Sequence, residues 1–151
     1  MLDDLDRRLL RHLQADPGQK TPTLAAAAGT STAVAWRRLE RMRAAGILKG
    51  VESVIDWAAL GWAVQVSLRV TLDKTQRTAF DDFIRAARAV PEVLEIQTFL
   101  GRVDLRLAVI ARDMAHYQEI YRTRILALPH IADIEALMHV ARIKSDEALP
   151  V

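Results

Sequence analysis

The stretch Thr21-Pro22-Thr23-Leu24-Ala25-Ala26-Ala27-Ala28-Gly29-Thr30-Ser31-Thr32-Ala33-Val34-Ala35-Trp36-Arg37-Arg38-Leu39-Glu40-Arg41-Met42-Arg43-Ala44-Ala45-Gly46 decides the architecture of this 151-residue chain. Thr21 followed by Pro22 has the form of an N-cap and first helical position, where the proline's missing N–H costs nothing. About two turns later Gly29 offers a left-handed exit. Ser31 or Thr32 then caps a further helix that runs to Gly46 and carries Arg37, Arg38, Arg41 and Arg43. Two short helices joined by a tight turn make a helix-turn-helix in outline. Such a unit presents its second helix to the major groove of double-stranded DNA.

Upstream, Leu2, Leu5, Leu9 and Leu13 recur at spacings of three and four with Leu10 beside them, and Asp3, Asp4 and Asp6 crowd the first turn, where the helix dipole favours anions. This predicts a first amphipathic helix ending near Asp16-Pro17-Gly18. Downstream, Ile47, Leu48, Val51, Val54 and Ile55 around Gly50 predict two short extended pieces, a wing. Asp56 to Gly61 reads as a one-turn helix with an Asp cap and a Gly stop, and it serves as the linker.

From Trp62 to Leu72 apolar and polar residues alternate, as a half-buried strand requires. Asp73 is expected to cap a helix whose Phe80, Phe83, Ile84, Ala87 and Val90 share one stripe, with Pro91 as the stop. Strands follow over Val93 to Leu100 and, after a Gly101-Arg102 turn, Val103 to Val109. Asp113 caps a second helix with Met114, Tyr117, Tyr121, Ile125 and Leu128 on one face, and Pro129 ends it. A last strand spans Ile131 to Lys144, and a polar tail covers Ser145 to Val151. The order is a β-α-β unit written twice, the split pattern of a ferredoxin-like domain. The expected class is therefore α+β, with a winged helix-turn-helix at 1–55, a linker at 56–61 and a ferredoxin-like βαββαβ domain at 62–151.

Apolar residues make up 51% of the chain and charged residues 26%, a balance that excludes a disordered polypeptide. No apolar run approaches the roughly 18 residues of a membrane span, and no secretory signal is visible, so the expected location is the cytoplasm. The absence of cysteine excludes disulfides and thiolate chemistry. Residues 1–55 carry a balance of +3 and residues 56–151 one of −1, which places the basic excess where phosphate binding needs it.

On the arginine-bearing helix Ala35, Leu39 and Met42 form the inward stripe. At about 100° per residue, Arg37 and Arg41 then point outward, where they can reach phosphates or the acceptor edge of guanine. Ala33 and Val34 share that outer half, and Arg38 on the flank suits the sugar-phosphate backbone. Trp36, at the side, is expected to pack on the wing or the first helix, with a DNA contact as the alternative. Ser31 and Thr32 are caps whose hydroxyls and amides can also take a phosphate.

No catalytic constellation emerges. His12, His116, His130 and His139 show no metal-ligand spacing, and neither a nucleophile elbow nor a phosphate-cradling glycine loop is present. Arg102 and Asp104 bracket a strand turn after Gly101. They read either as solvated hairpin charges or as a site for a zwitterion, with Arg102 holding a carboxylate and Asp104 an ammonium.

Taken together, Leu2-Asp3 to Asp6 with Leu9-Leu10 and Leu13, Leu24-Ala25, Gly29-Thr30-Ser31, Arg38-Leu39 with Met42, Gly46-Ile47 and Gly50, Pro91-Glu92-Val93, Gly101-x-x-Asp104 and Asp113-Met114 with Tyr117 resemble the Lrp/AsnC, or feast/famine, family of transcription regulators. The resemblance implies a homodimer formed through the sheet, which assembles four dimers into an octamer. It also implies an amino acid or related metabolite as effector and no cofactor. The effector would bind between dimers near Gly101, Arg102, Val103 and Asp104, with Leu137 and Met138 close by. Arg102 and the Thr32-Ala33-Val34 start of the recognition helix depart from the usual family pattern. Trp36-Arg37-Arg38-Leu39 and Leu149-Pro150-Val151 resemble the cysteine-responsive branch. Two other functions share parts of this picture. A siroheme-decarboxylase-like enzyme on the same fold would not need the arginine face, and an architectural DNA-binding protein would sense nothing.

Overall fold

A computed structural model describes residues 1–144 and 148–150 and divides them into two compact units. The first contains residues 1–54 together with the described C-terminal residues, and the second contains residues 55–143.

The first unit is built on three helices, α1 (Asp4–Ala15), α2 (Thr21–Ala27) and α3 (Thr32–Ala44). Asp3 caps α1 reciprocally with Asp6: each side chain accepts the other's backbone N–H, at 3.0 and 3.1 Å. The pair satisfies two amides that have no intrahelical partner. Lys20, rather than Thr21, stands at the start of α2, whose first turn holds Pro22. Gly29 and Gly46 both adopt φ +69°, the left-handed exits that let α2 and α3 stop abruptly. Leu9, Leu24, Ala25, Ala28, Ala35, Leu39 and Met42 close into one core, with Leu2, Leu5, Leu10, Leu13 and Leu48 packed against it. At the far end of α1 the Gln14 amide brackets the backbone of Leu149, accepting its N–H at 2.5 Å and donating to its carbonyl at 3.3 Å.

The wing strands are not formed. Residues 47–63 contain no strand, and Ile47, Val51, Val54 and Ile55 are exposed. A two-stranded ribbon this short has too little apolar surface to bury for its own stability. Asp56 does accept the Ala59 N–H, and Gly61 ends that turn at φ +87°.

The second unit is a four-stranded antiparallel sheet with strand order β2-β3-β1-β4, from β1 (Val64–Leu72), β2 (Val93–Thr98), β3 (Leu105–Ala111) and β4 (Ile131–Met138). Helix α4 (Ala79–Arg88) and helix α5 (Met114–Ile120), which continues as a π-helical turn over Tyr121–Ile125, supply the crossovers. Phe83 and Ala87 of α4, with Tyr117, Ile120 and Ile125, pack on Val66, Leu68, Val70, Leu105, Leu107 and Val109 of the sheet. On the opposite sheet face the register aligns Ser67 with Ala108 and Leu137, and Arg69 with Arg106 and Glu135. This face is polar and carries ion pairs of Arg69 with Glu135 at 3.6 Å and Arg106 with Glu95 at 2.9 Å.

Asp73 does not cap α4. It accepts the Thr75 N–H in a short turn, and α4 begins six residues later. Asp113 does cap α5, accepting the His116 N–H at 2.7 Å. Strand β4 stops at Met138, short of Lys144, with one further backbone bond from the His139 N–H to the Gln65 carbonyl at 3.0 Å. Part of the expected tail, Ser145 to Glu147 and Val151, lies outside the described residues.

Candidate nucleic-acid interface and effector loop

The site on the first unit is built by α3. Ser31 accepts the Val34 N–H at 3.3 Å and so fixes where the helix begins, while Thr32 and Ala33 are exposed in its first turn. Ala35, Leu39 and Met42 are buried as the spacing predicts. The opposite stripe is exposed and consists of Ala33, Arg37, Glu40, Arg41 and Ala44, with Trp36 exposed on its flank. Val34 is half-buried.

The four arginines of α3 are not equivalent. Arg38 donates to Asp3 and, at 3.2 Å, to Asp6, while Arg41 donates to Asp6 at 2.5 Å. Arg43 pairs with Glu40 on its own helix. Arg37 has no ion pair among the described residues and is exposed. The expectation that Arg37 and Arg41 project alike is therefore corrected: Arg41 remains 54% exposed but turns onto α1. The cause is Asp6, a fully buried carboxylate that would be costly without cationic partners. The Asp6 N–H and the Arg38 guanidinium hold the Asp3 carboxyl down at about 2, and Asp3 in turn raises the guanidinium of Arg38.

Trp36 also departs from its expected place. It is 59% exposed and belongs to no buried cluster.

In the second unit the loop between β2 and β3 holds Gly101 and Arg102 exposed, Val103 half-buried and Asp104 only 3% exposed. Phe99 and Leu100 before them are exposed. Asp104 is held from several sides: its Oδ2 accepts the Leu72 N–H at 2.9 Å, its Oδ1 meets Lys74 Nζ at 2.7 Å, and its own N–H donates to Val70. Burial raises the carboxyl, but the Lys74 ammonium and the Leu72 amide outweigh that and leave it below the usual carboxylate range. The Asp104 carboxylate already has its counter-charge, and Arg102 contributes its carbonyl to the Thr71 hydroxyl at 3.0 Å.

Leu137 and Met138 lie elsewhere on the sheet. Leu137 pairs with Ser67, whereas Asp104 binds Val70, and β3 and β4 flank β1 on opposite sides. The separation is about 10 Å along the strands and about 10 Å across them. Consecutive strand residues also face opposite ways, so Leu137 shares the Ser67 face and Met138 the Val66 face. One protomer does not bring the six expected effector residues together.

Sequence reasoning missed Asp6 and Lys74. Asp6 had a signal, because it stands on the Leu2, Leu9, Leu13 stripe, an acid where an apolar residue belongs. Lys74 had none, being brought to Asp104 only by strand pairing.

Among the described residues no group of three His, Asp or Glu side chains could hold a metal ion, and no helix is long and apolar enough to cross a membrane.

Fold and surface together define a helix-turn-helix DNA-binding protein with an appended ferredoxin-like domain. The AsnC-type helix-turn-helix domain matches residues 2–43, and the Lrp/AsnC ligand binding domain matches residues 65–149. The chain belongs to the Lrp/AsnC family and is a DNA-binding transcriptional regulator. It is 28% identical over 151 residues to the DNA-binding transcriptional activator DecR of Escherichia coli K12, covering 100% of this chain and 99% of the relative. It is 31% identical over 132 residues to the proline dehydrogenase transcriptional activator of Rhodobacter capsulatus, covering 87% and 86%. An AsnC family regulator from Agrobacterium tumefaciens superposes with a TM-score of 0.87 at 29% identity, covering 99% of this chain and 97% of that one. A transcriptional regulator from Neisseria meningitidis, solved as an L-methionine complex, has the same fold with a TM-score of 0.90 at 24% identity and the same coverage. These relatives are named as regulators, not enzymes.

Proposed function

We propose that this chain is a cytoplasmic regulator without catalytic activity, whose DNA binding responds to an amino acid or a related metabolite. The carrying observation is the exposed stripe of α3, which leaves Arg37 uncommitted in a unit matched by the helix-turn-helix family. Ser31, Thr32, Ala33, Val34 and Arg37 approach the DNA directly. Arg38 and Arg41 lie at its backbone while tying α3 to α1. One helix makes few base contacts, so a homodimer reading two half-sites gains affinity by linkage.

The effector site draws on Gly101, Arg102, Val103 and Asp104 of one copy and on Leu137 and Met138 of another. Their separation within a protomer supports an intersubunit site, and the methionine complex of a fold neighbour supports an amino acid as its occupant. An octamer of four dimers provides such junctions. Effector binding then shifts the population of assemblies with different half-site spacing.

A mobility-shift assay on the DNA upstream of the protein's own gene, repeated with methionine, cysteine and the other amino acids, tests this reading. One amino acid should change the affinity or the pattern of retarded species, with a matching thermal shift. Salt-sensitive binding without sequence preference, unmoved by every amino acid, would favour an architectural protein. Turnover of a siroheme-type substrate would favour the enzyme.

A further inference from the structure

Trp36 is the largest apolar side chain on α3, yet it lies 59% exposed on the flank of the helix, between the core stripe and the outward-facing Arg37. Among the described residues its ring has no aromatic or cation–π contact. Beside it stands Arg37, the α3 arginine without an ion pair. Ala33 lies one turn before both and is small enough to let a groove wall approach. Glu40, one turn after, would repel phosphate, but Arg43 offsets its charge. An apolar surface next to a free cation matches one surface in particular, the floor of the major groove, where thymine methyls lie beside the acceptor edges of purines. A purely electrostatic backbone contact would have no use for the indole.

We propose that Trp36 and Arg37 are the base-reading pair of α3, the indole lying against a thymine C5 methyl and the guanidinium taking the N7 and O6 of a nearby guanine. Arg38 and Arg41, committed to Asp3 and Asp6, set the helix position and carry little of the sequence discrimination. The inference rests on the reading of α3 as the DNA-facing helix.

The test uses the full chain and an operator selected by the wild-type protein from random duplex DNA. Each thymine is replaced in turn by deoxyuracil, which removes only the C5 methyl, and affinity is read by fluorescence anisotropy. One thymine per half-site should show a loss of about fourfold, the worth of one buried methyl group. Trp36→Ala should bind the operator about tenfold more weakly and become indifferent to that replacement, with its salt dependence unchanged because no phosphate contact is lost. Arg37→Ala should accept other bases at one guanine position. Wild-type affinity in Trp36→Ala, retained deoxyuracil sensitivity, or an equal loss on operator and random DNA would each overturn the proposal. A changed oligomer size in sedimentation would do so too, making Trp36 a protein contact. If the wild type selects no DNA, the reading of α3 itself fails, an outcome distinct from failure of the Trp36 assignment alone.

Discussion

Replacing Asp6 by alanine removes a carboxylate that is 0% exposed yet joins two helices. It accepts from Arg41 at 2.5 Å, from Arg38 at 3.2 Å and from the Asp3 N–H at 3.1 Å. Breaking a fully buried pair by removing one partner costs roughly 3–5 kcal/mol, because the other charge is stranded. Here the guanidiniums reach solvent, Arg41 at 54% exposure, and rehydrate once released, so the loss falls to the range of a hydrogen bond to a charged group. We expect about 2 kcal/mol on that basis. For a chain of this length that is a fall in Tm of about 4–8 °C, read by calorimetry alongside helical ellipticity at pH 7. Asp6→Ala should also cost less once Arg41→Ala is in place, since the interaction is already gone. A fall below about 1 °C, or strictly additive losses in the double variant, would refute the clamp as the device that positions α3.

Asp104→Ala leaves the buried Leu72 N–H without an acceptor and should cost about 2 kcal/mol, seen as a lower urea midpoint. Because this weakens the second unit itself, Arg102→Ala is the cleaner probe of the effector site, and it should reduce effector-induced thermal stabilisation without lowering the basal Tm. Gly29→Ala should destabilise by about 1 kcal/mol through left-handed strain alone, since no atom lies within 4 Å of the added Cβ. Asp3, held at about 2 against an ordinary 3.8, contributes stability that is present above the unfolded value and lost as the pH falls from about 4 to about 2. The urea midpoint of Asp3→Asn should fall less across that window than that of the wild type, and equal falls would remove Asp3 from the account.

The helical stripes were legible because burial follows a period of 3.6, so Ala35, Leu39 and Met42 could be placed inward from spacing alone. Gly29 and Gly46 were legible because few other residues adopt φ +69° cheaply. The succession of strands and helices in the second unit was legible from repetition of one unit. The wing was not, because apolar spacing says nothing about whether a ribbon has a surface to pack on.

The sequence by itself determined the helical stripes and turn glycines, which depend on residues close together in the chain, and the family, through the order and spacing of its motifs. Only the tertiary structure decided which charges are free. Arg37 and Arg41 are equivalent by helical angle, yet Asp6, thirty-five residues before Arg41, claims one and leaves the other exposed. Asp104 is a candidate ligand group by position until strand pairing brings the Leu72 amide and Lys74 to it. An ionised side chain takes whatever counter-charge folding places within reach. That choice is made in space and leaves no period in the chain.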